Sequence, residues 1–135
     1  MKYLENVAAL NLPVGKFAIF ASGPICIRGI RENDDIDIIV TKELLDELQQ
    51  KNTVIKKPGR SAKIQIGPVE IYSDWKPWYD DVTEFIETAE IIDGLPFVKI
   101  EYVLDWKKKF AREKDIKDIM LIEKYLSKKE LDNKI

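Results

Sequence analysis

Residues 35–40 read Asp35-Ile36-Asp37-Ile38-Ile39-Val40, and the alternation in this short run decides how the rest of the chain is read. In an extended strand successive side chains point to opposite faces. Asp35 and Asp37 therefore share one face, while Ile36, Ile38 and Val40 share the other. Two carboxylates about 7 Å apart on one face repel each other, and each is costly to remove from water. A strand this apolar accommodates them most readily with a cation between them. The plainer alternative is a pair of solvated acids at a strand edge.

Upstream lies the apolar run Phe17-Ala18-Ile19-Phe20, followed by Ala21-Ser22-Gly23-Pro24. The run has strand length, and a small-residue turn closes it. Proline suits a first helical turn, so Ser22 or Gly23 is the expected N-cap, with Ile25 to Ile30 as a short buried helix. A strand, a tight turn and a helix start leave unpaired backbone N–H groups at the turn, which favours an anion such as phosphate. Many such turns bind nothing, but an acidic pair on a second strand raises the meaning of this one.

Ala21-Ser22-Gly23, then Arg28-Gly29-Ile30-Arg31-Glu32, then Asp35-Ile36-Asp37-Ile38 resemble the signature of the DNA polymerase β-type nucleotidyltransferase superfamily. The resemblance is strongest to its small stand-alone members, the lincosamide-type enzymes and the toxin–antitoxin nucleotidyltransferases. The first turn position, usually glycine in that family, is Ala21 here. A second stretch, Leu104-Asp105-Trp106-Lys107 with Arg112 to Ile119, is similar to the C-terminal helical segment of the same small proteins.

The resemblance implies an α/β (α+β) fold: a small mixed or mostly antiparallel sheet flanked by helices, with a C-terminal helical extension. Residues 1–135 would form a single nucleotidyltransferase-like domain, 1–100 its sheet-containing core and 101–135 its C-terminal helices. It also implies a third carboxylate. Lys63 to Ile66 and Val69 to Tyr72 read as two strands joined by Gly67-Pro68. Glu70 points away from the Val69 and Ile71 face and is the candidate, with Asp74 in the following loop as competitor. Without the resemblance, Glu70 reads equally as an acid on a solvent face.

Three acids match the chemistry implied. Transfer of a nucleoside monophosphate is an in-line displacement at the α-phosphate, and two divalent cations about 3.5–4 Å apart can bind both attacking and leaving oxygens. Mg²⁺ (or Mn²⁺) takes carboxylate and phosphate oxygens. Asp35, Asp37 and Glu70 would hold the metal, with Glu70 assisting the acceptor hydroxyl or acting as base. Ser22 and Gly23 would grip the β- and γ-phosphates of a nucleoside triphosphate. Arg28, Arg31, Arg60 and Lys63 are candidate partners of the pyrophosphate, although at least two read as ordinary surface cations. Asp115 and Asp118, three apart on one helix, can pair locally with Arg112 or Lys114; the alternative is that Lys107 and Arg112 face the cleft and touch the nucleotide.

Elsewhere, helices are expected over residues 2–10, 42–50 (capped by Thr41), 80–87 and from Ile100 onward. Ala89 to Ile92 reads as a strand, with Asp93-Gly94 opening a hairpin. Ile116, Ile119, Met120, Ile122 and Leu126 form an apolar stripe assigned to the core. Hydrophobic residues make up 45% of the 135, enough for a substantial core. No apolar run is long enough to span a membrane, and no secretion signal is apparent. The single cysteine, Cys26, fits a reducing cytoplasm. The absence of histidine excludes Ser-His-Asp catalysis and His-bound zinc. A net charge of −2 argues against general DNA coating. So short a chain leaves little surface for an acceptor pocket, so a homodimer mate or partner protein is expected to complete it. The alternatives are a toxin–antitoxin component that keeps the fold without turnover, and a nucleotide sensor.

Overall fold

The computed structural model describes residues 1–133. In chain order its elements are α1 (Leu4–Ala9), β1 (Phe17–Phe20), α2 (Ser22–Ile27), β2 (Ile36–Val40), α3 (Lys42–Gln49), β3 (Val54–Ile55), β4 (Lys63–Ile66), β5 (Val69–Tyr72), α4 (Thr83–Glu87), β6 (Glu90–Ile92), β7 (Leu95–Phe97), α5 (Ile100–Phe110) and α6 (Glu113–Asn133). The strands form one mixed sheet in the order β3-β4-β5-β2-β1-β7-β6. β1 and β2 are antiparallel, and each pairs on its outer side with a parallel neighbour, β7 and β5 respectively. Hairpins β4–β5 and β6–β7 carry the sheet outward.

Side-chain alternation along β2 divides the molecule into two apolar layers. Ile36, Ile38 and Val40 are fully buried with Leu44 and Leu45 of α3, Val7 of α1 and Val69 and Ile71 of β5. Each such side chain contributes roughly 1.5–3 kcal/mol by leaving water. On the opposite face Ile39, Ala18 and Phe20 pack with α4, α5 and Ile122 of α6. Asp37 belongs to this second face and looks towards the C-terminal helices, whereas Asp35, just before β2, is exposed.

The turn after β1 differs from expectation in one respect. The helix begins at Ser22, with Ala21 as its N-cap residue, so Pro24 lies in the first turn, where no donor is needed. It ends earlier than Ile30: Gly29 adopts φ 75°, and Ile30 N–H and Gly29 N–H bond to the carbonyls of Ile25 and Cys26. That paired closure requires a left-handed residue, which Gly29 supplies. Thr41 caps α3 by accepting the Leu44 N–H at 3.2 Å. Residues 80–82 precede α4 rather than joining it, because the Asp81 carboxylate accepts the Thr83 N–H and hydroxyl and turns the chain there.

The stripe on α6 is narrower than its composition implies. Ile122 is fully buried, and Ile119 and Leu126 pack against the core, but Ile116 and Met120 are 52% and 68% exposed. The inward face is set instead by Asp115, Asp118 and Ile122, a spacing that one helical face accommodates.

Candidate active site

β2 and β5 run parallel in a register that sets Asp37 beside Glu70. Asp35 lies in the bend just before β2. Carboxylate oxygens of Asp35, Asp37 and Glu70 all lie within 4.8 Å of one another. Lys63 on β4 donates to Glu70 Oε1 at 2.7 Å, and the Tyr72 hydroxyl donates to Glu70 Oε2 at 3.3 Å. These two residues fix the Glu70 rotamer. Tyr72 stands two residues beyond Glu70 on the same strand face, the signal by which the sequence could have identified it.

Burial is the main force on the Asp37 carboxyl and pushes it well above the usual range. A hydrogen bond with Glu70 and the charges of Asp35 and Glu70 act in the same direction, and Lys63 only partly opposes them. Burial alone would also raise Glu70, but hydrogen bonds from Lys63, Asp37 and Tyr72 outweigh it and hold that carboxyl below its ordinary value. The Tyr72 hydroxyl is raised, first by burial and then by the nearby acids. One oxygen of Asp37, Oδ1, is buried with no hydrogen-bond partner among the described residues. A trio of hard oxygen donors, one of whose members has a buried oxygen without a partner, suits a divalent ion such as Mg²⁺. Asp35, Asp37 and Glu70 are the residues that would hold it.

The acids lie along a cleft of about 900 Å³ lined by the turn after β1, the β3–β4 loop, the loop after β5, and parts of α5 and α6. Ser22 lines it and sends its hydroxyl towards the Asp35 carbonyl at 3.4 Å. Gly23 does not line it. A Cβ on Gly23 would stand 2.3 Å from Ile19 Cγ2, so this glycine lets α2 pack closely on β1. Ala21, which does line the cleft, holds φ 59° and ψ −119°, a conformation that glycine adopts far more easily.

The basic candidates divide. Arg28 is not among the cleft residues; its guanidinium donates to the Pro24 carbonyl at 2.8 Å and to Glu90 at 3.1 Å. Arg31, Lys63, Lys107 and Arg112 all line the cleft. Asp118 accepts both Arg31 Nε (2.6 Å) and Nη2 (2.8 Å), the bidentate geometry that best fixes a guanidinium. Lys107, 4% exposed, lies 3.2 Å from Asp115 and 2.9 Å from Asp118. Arg112 donates to Asp115 from Nε at 2.6 Å. The local pairing of Asp115 and Asp118 and the cleft position of Lys107 and Arg112 thus coexist. These two aspartates tie α5 and α6 to the loop before β2. Asn33 escaped notice in the sequence. Fully buried, it donates to the Asp35 and Lys2 carbonyls and accepts the Lys2 N–H, fixing the backbone that presents Asp35. Asp74 does not line the cleft.

No protein-family model matches the sequence, and no curated protein matches it as a relative. Solved structures do match. A candidate nucleotidyltransferase from Thermotoga maritima superposes with a TM-score of 0.61 at 18% identity, covering 94% of each chain. The antibiotic-resistance factor ANT(2'')-Ia, in complex with adenylyl-2''-tobramycin, gives 0.55 at 19% identity, over 97% of this chain and 89% of that one. Its solution structure gives 0.53 at 20% identity, over 93% and 80%. The chain therefore has the nucleotidyltransferase fold.

Proposed function

We propose that this protein is a metal-dependent nucleotidyltransferase that moves a nucleoside monophosphate from a nucleoside triphosphate to a hydroxyl of a separate acceptor. The observation that carries the reading is the meeting of Asp35, Asp37 and Glu70 within 4.8 Å, one of them, Asp37, carrying a buried oxygen with no hydrogen-bond partner among the described residues. Retaining three mutually repelling acids around a buried, unpaired oxygen costs folding stability. A site kept at that cost is expected to do something in return. The fold shared with ANT(2'')-Ia, which binds adenylyl-2''-tobramycin, supports the same reading.

A divalent ion held there would supply Lewis-acid stabilisation of the charge that develops on the transferred phosphate. The rest of the work falls to the chain. Ser22, beside Asp35, grips the far phosphates of the triphosphate. Arg31 and Lys107, fixed by Asp118, together with Arg112, neutralise the departing pyrophosphate. Glu70, kept ionised by Lys63 and Tyr72, accepts the proton of the attacking hydroxyl. The whole chain acts as one domain in the cytoplasm, and a second subunit or partner protein adds surface around the acceptor. No helix among the described residues is long and apolar enough to cross a membrane.

The competing reading is a partner protein of toxin–antitoxin type, or a nucleotide sensor, that retains the fold without turnover. Ala21 in its left-handed conformation is the feature that favours it. Incubation with each labelled triphosphate, Mg²⁺ and bulk RNA or protein separates the cases. Pyrophosphate release with label transfer, abolished in Asp37→Asn, is the expected result. Triphosphate binding without transfer would point to the sensor, and neither to the partner protein.

A further inference from the structure

Lysine and arginine outnumber the acids along the cleft. Nine lysines and arginines line it, against five aspartates and glutamates. Adding Glu70 and Asp115, which pair with cleft cations, brings the carboxylates to seven. The cleft thus keeps a surplus of positive charge in a chain whose net charge is −2. Loading the site leaves cations to spare, because the triphosphate is met at the acid cluster by a divalent ion and by Arg31, Lys107 and Arg112. Four inner cations are already paired with carboxylates, Lys63 with Glu70 and Arg31, Lys107 and Arg112 with Asp118 and Asp115. Five others, Lys57, Arg60, Lys76, Lys114 and Lys117, line the cleft without an ion pair among the described residues. They come from three separate segments: the β3–β4 loop, the loop after β5, and α6, where Lys114 and Lys117 share a face at three-residue spacing. Aromatic surface accompanies them. Trp78 and Phe110, both half-buried, line the same cleft with ring centroids 4.3 Å apart.

Unpaired cations beside the half-buried ring of Trp78 form a surface for a phosphate backbone with stackable bases, while Phe110 is already covered by the Arg112 guanidinium, 3.5 Å from its centroid. A polycationic acceptor would be repelled by it. We infer that the acceptor is itself a phosphate-bearing nucleotide, best matched by the hydroxyl end of a single-stranded nucleic acid laid along the five unpaired cations. This inference rests on the nucleotidyl-transfer reading above. In the step, the terminal hydroxyl oxygen bonds to the α-phosphorus and the bond from that phosphorus to the bridging oxygen of the β-phosphate breaks. Pyrophosphate leaves, and the hydroxyl proton passes to Glu70 and then to solvent.

The test measures binding of a fluorescent twelve-nucleotide RNA with a free 3′ hydroxyl, and separately of ATP with Mn²⁺, to the full chain. Contact with about four phosphates predicts a log–log salt slope near −2.8, or about a fifty-fold loss of affinity between 50 and 200 mM salt. In the Lys114→Glu/Lys117→Glu double variant the slope should fall by about 1.4, with Mn–ATP binding unchanged. Label transfer from ATP to the RNA is expected, and not to tobramycin, a polycation. Tighter, steeper binding of the oligomer than of GMP assigns the strand as acceptor, and equal affinity assigns the free nucleotide. Mn–ATP binding without RNA or GMP binding, or transfer to tobramycin or to protein in preference, overturns this inference alone. Absence of Mn–ATP binding removes the nucleotidyl-transfer reading and this inference with it.

Discussion

Replacing Asp37 by asparagine should make the metal-free protein more stable while abolishing its activity. Asp37 stands with Asp35 and Glu70 at separations of no more than 4.8 Å. At an effective dielectric of about 20, two like charges at that distance cost about 3.5 kcal/mol per pair. Asp35 is exposed and its repulsion is screened, while Lys63 offsets much of Glu70. The surviving penalty, together with the buried unpaired oxygen, leaves a gain of about 1–3 kcal/mol for a neutral amide of the same shape. Tm should rise by about 3–9 °C for a chain of this size. The pH dependence has a definite sign. Asp37 is raised in the folded state, so the stability its neutral form confers is intact below its unfolded value of about 4 and is lost as pH rises. The advantage of the asparagine variant should therefore be present at pH 7 and vanish near pH 3.5. Urea unfolding in the presence of chelator, at both values, measures it. Adding Mn²⁺ at about a hundred times its Kd should then stabilise the wild type by about 2.7 kcal/mol and the variant hardly at all. A variant less stable than wild type at pH 7 without metal, or a gain independent of pH, would refute the electrostatic reasoning.

Three further changes probe the frame around the site. Gly23→Ala should cost about 1–3 kcal/mol in chemical denaturation, because its methyl would meet Ile19 Cγ2 at 2.3 Å in a closed core. A fully stable Gly23→Ala protein would show that α2 can slide on β1. Ala21→Gly should change stability by less than about 1 kcal/mol, since relief of the left-handed backbone is balanced by a lost buried methyl and a more flexible unfolded chain; Ala21→Val should cost at least about 2 kcal/mol. Lys107→Met should cost about 2–4 kcal/mol, less than a fully orphaned pair, because each aspartate keeps an arginine. Burial would raise Asp115 and Asp118, but hydrogen bonds from Arg112, Arg31 and Lys107 hold both below their ordinary range. Their contribution is therefore complete above about pH 4 and lost as pH falls further, so an acid titration of Asp118→Asn should show a weaker decline than wild type.

What sequence reasoning reaches depends on the range of the interaction. Alternation along β2 and β5 assigned the acids to one face without any tertiary information, and the Asp93-Gly94 hairpin and the Thr41 cap are equally local. The parallel pairing of β2 with β5, which brings Glu70 beside Asp37, joins segments more than thirty residues apart; the resemblance supplied the third carboxylate but not this pairing. Gly23 shows a limit of composition: nothing in the letter tells that its missing side chain makes room for Ile19 of the neighbouring strand. Arg28 shows another, since its partner Glu90 lies sixty-two positions away. The break between α5 and α6 carries no glycine or proline; Ala111 takes the left-handed conformation at φ 55°, and Asp115 then accepts the Arg112 N–H to start α6.

Every tryptophan in the chain, Trp75, Trp78 and Trp106, borders the cleft, and edge-on contacts link Trp106 to the other two. The protein thus carries its own optical reporter, with no indole elsewhere to dilute the signal. Intrinsic emission should respond when a nucleobase enters, and energy transfer among the coupled rings should spread the quenching of one indole to all three. Ligand entry could then be followed in a stopped-flow instrument without attaching a dye.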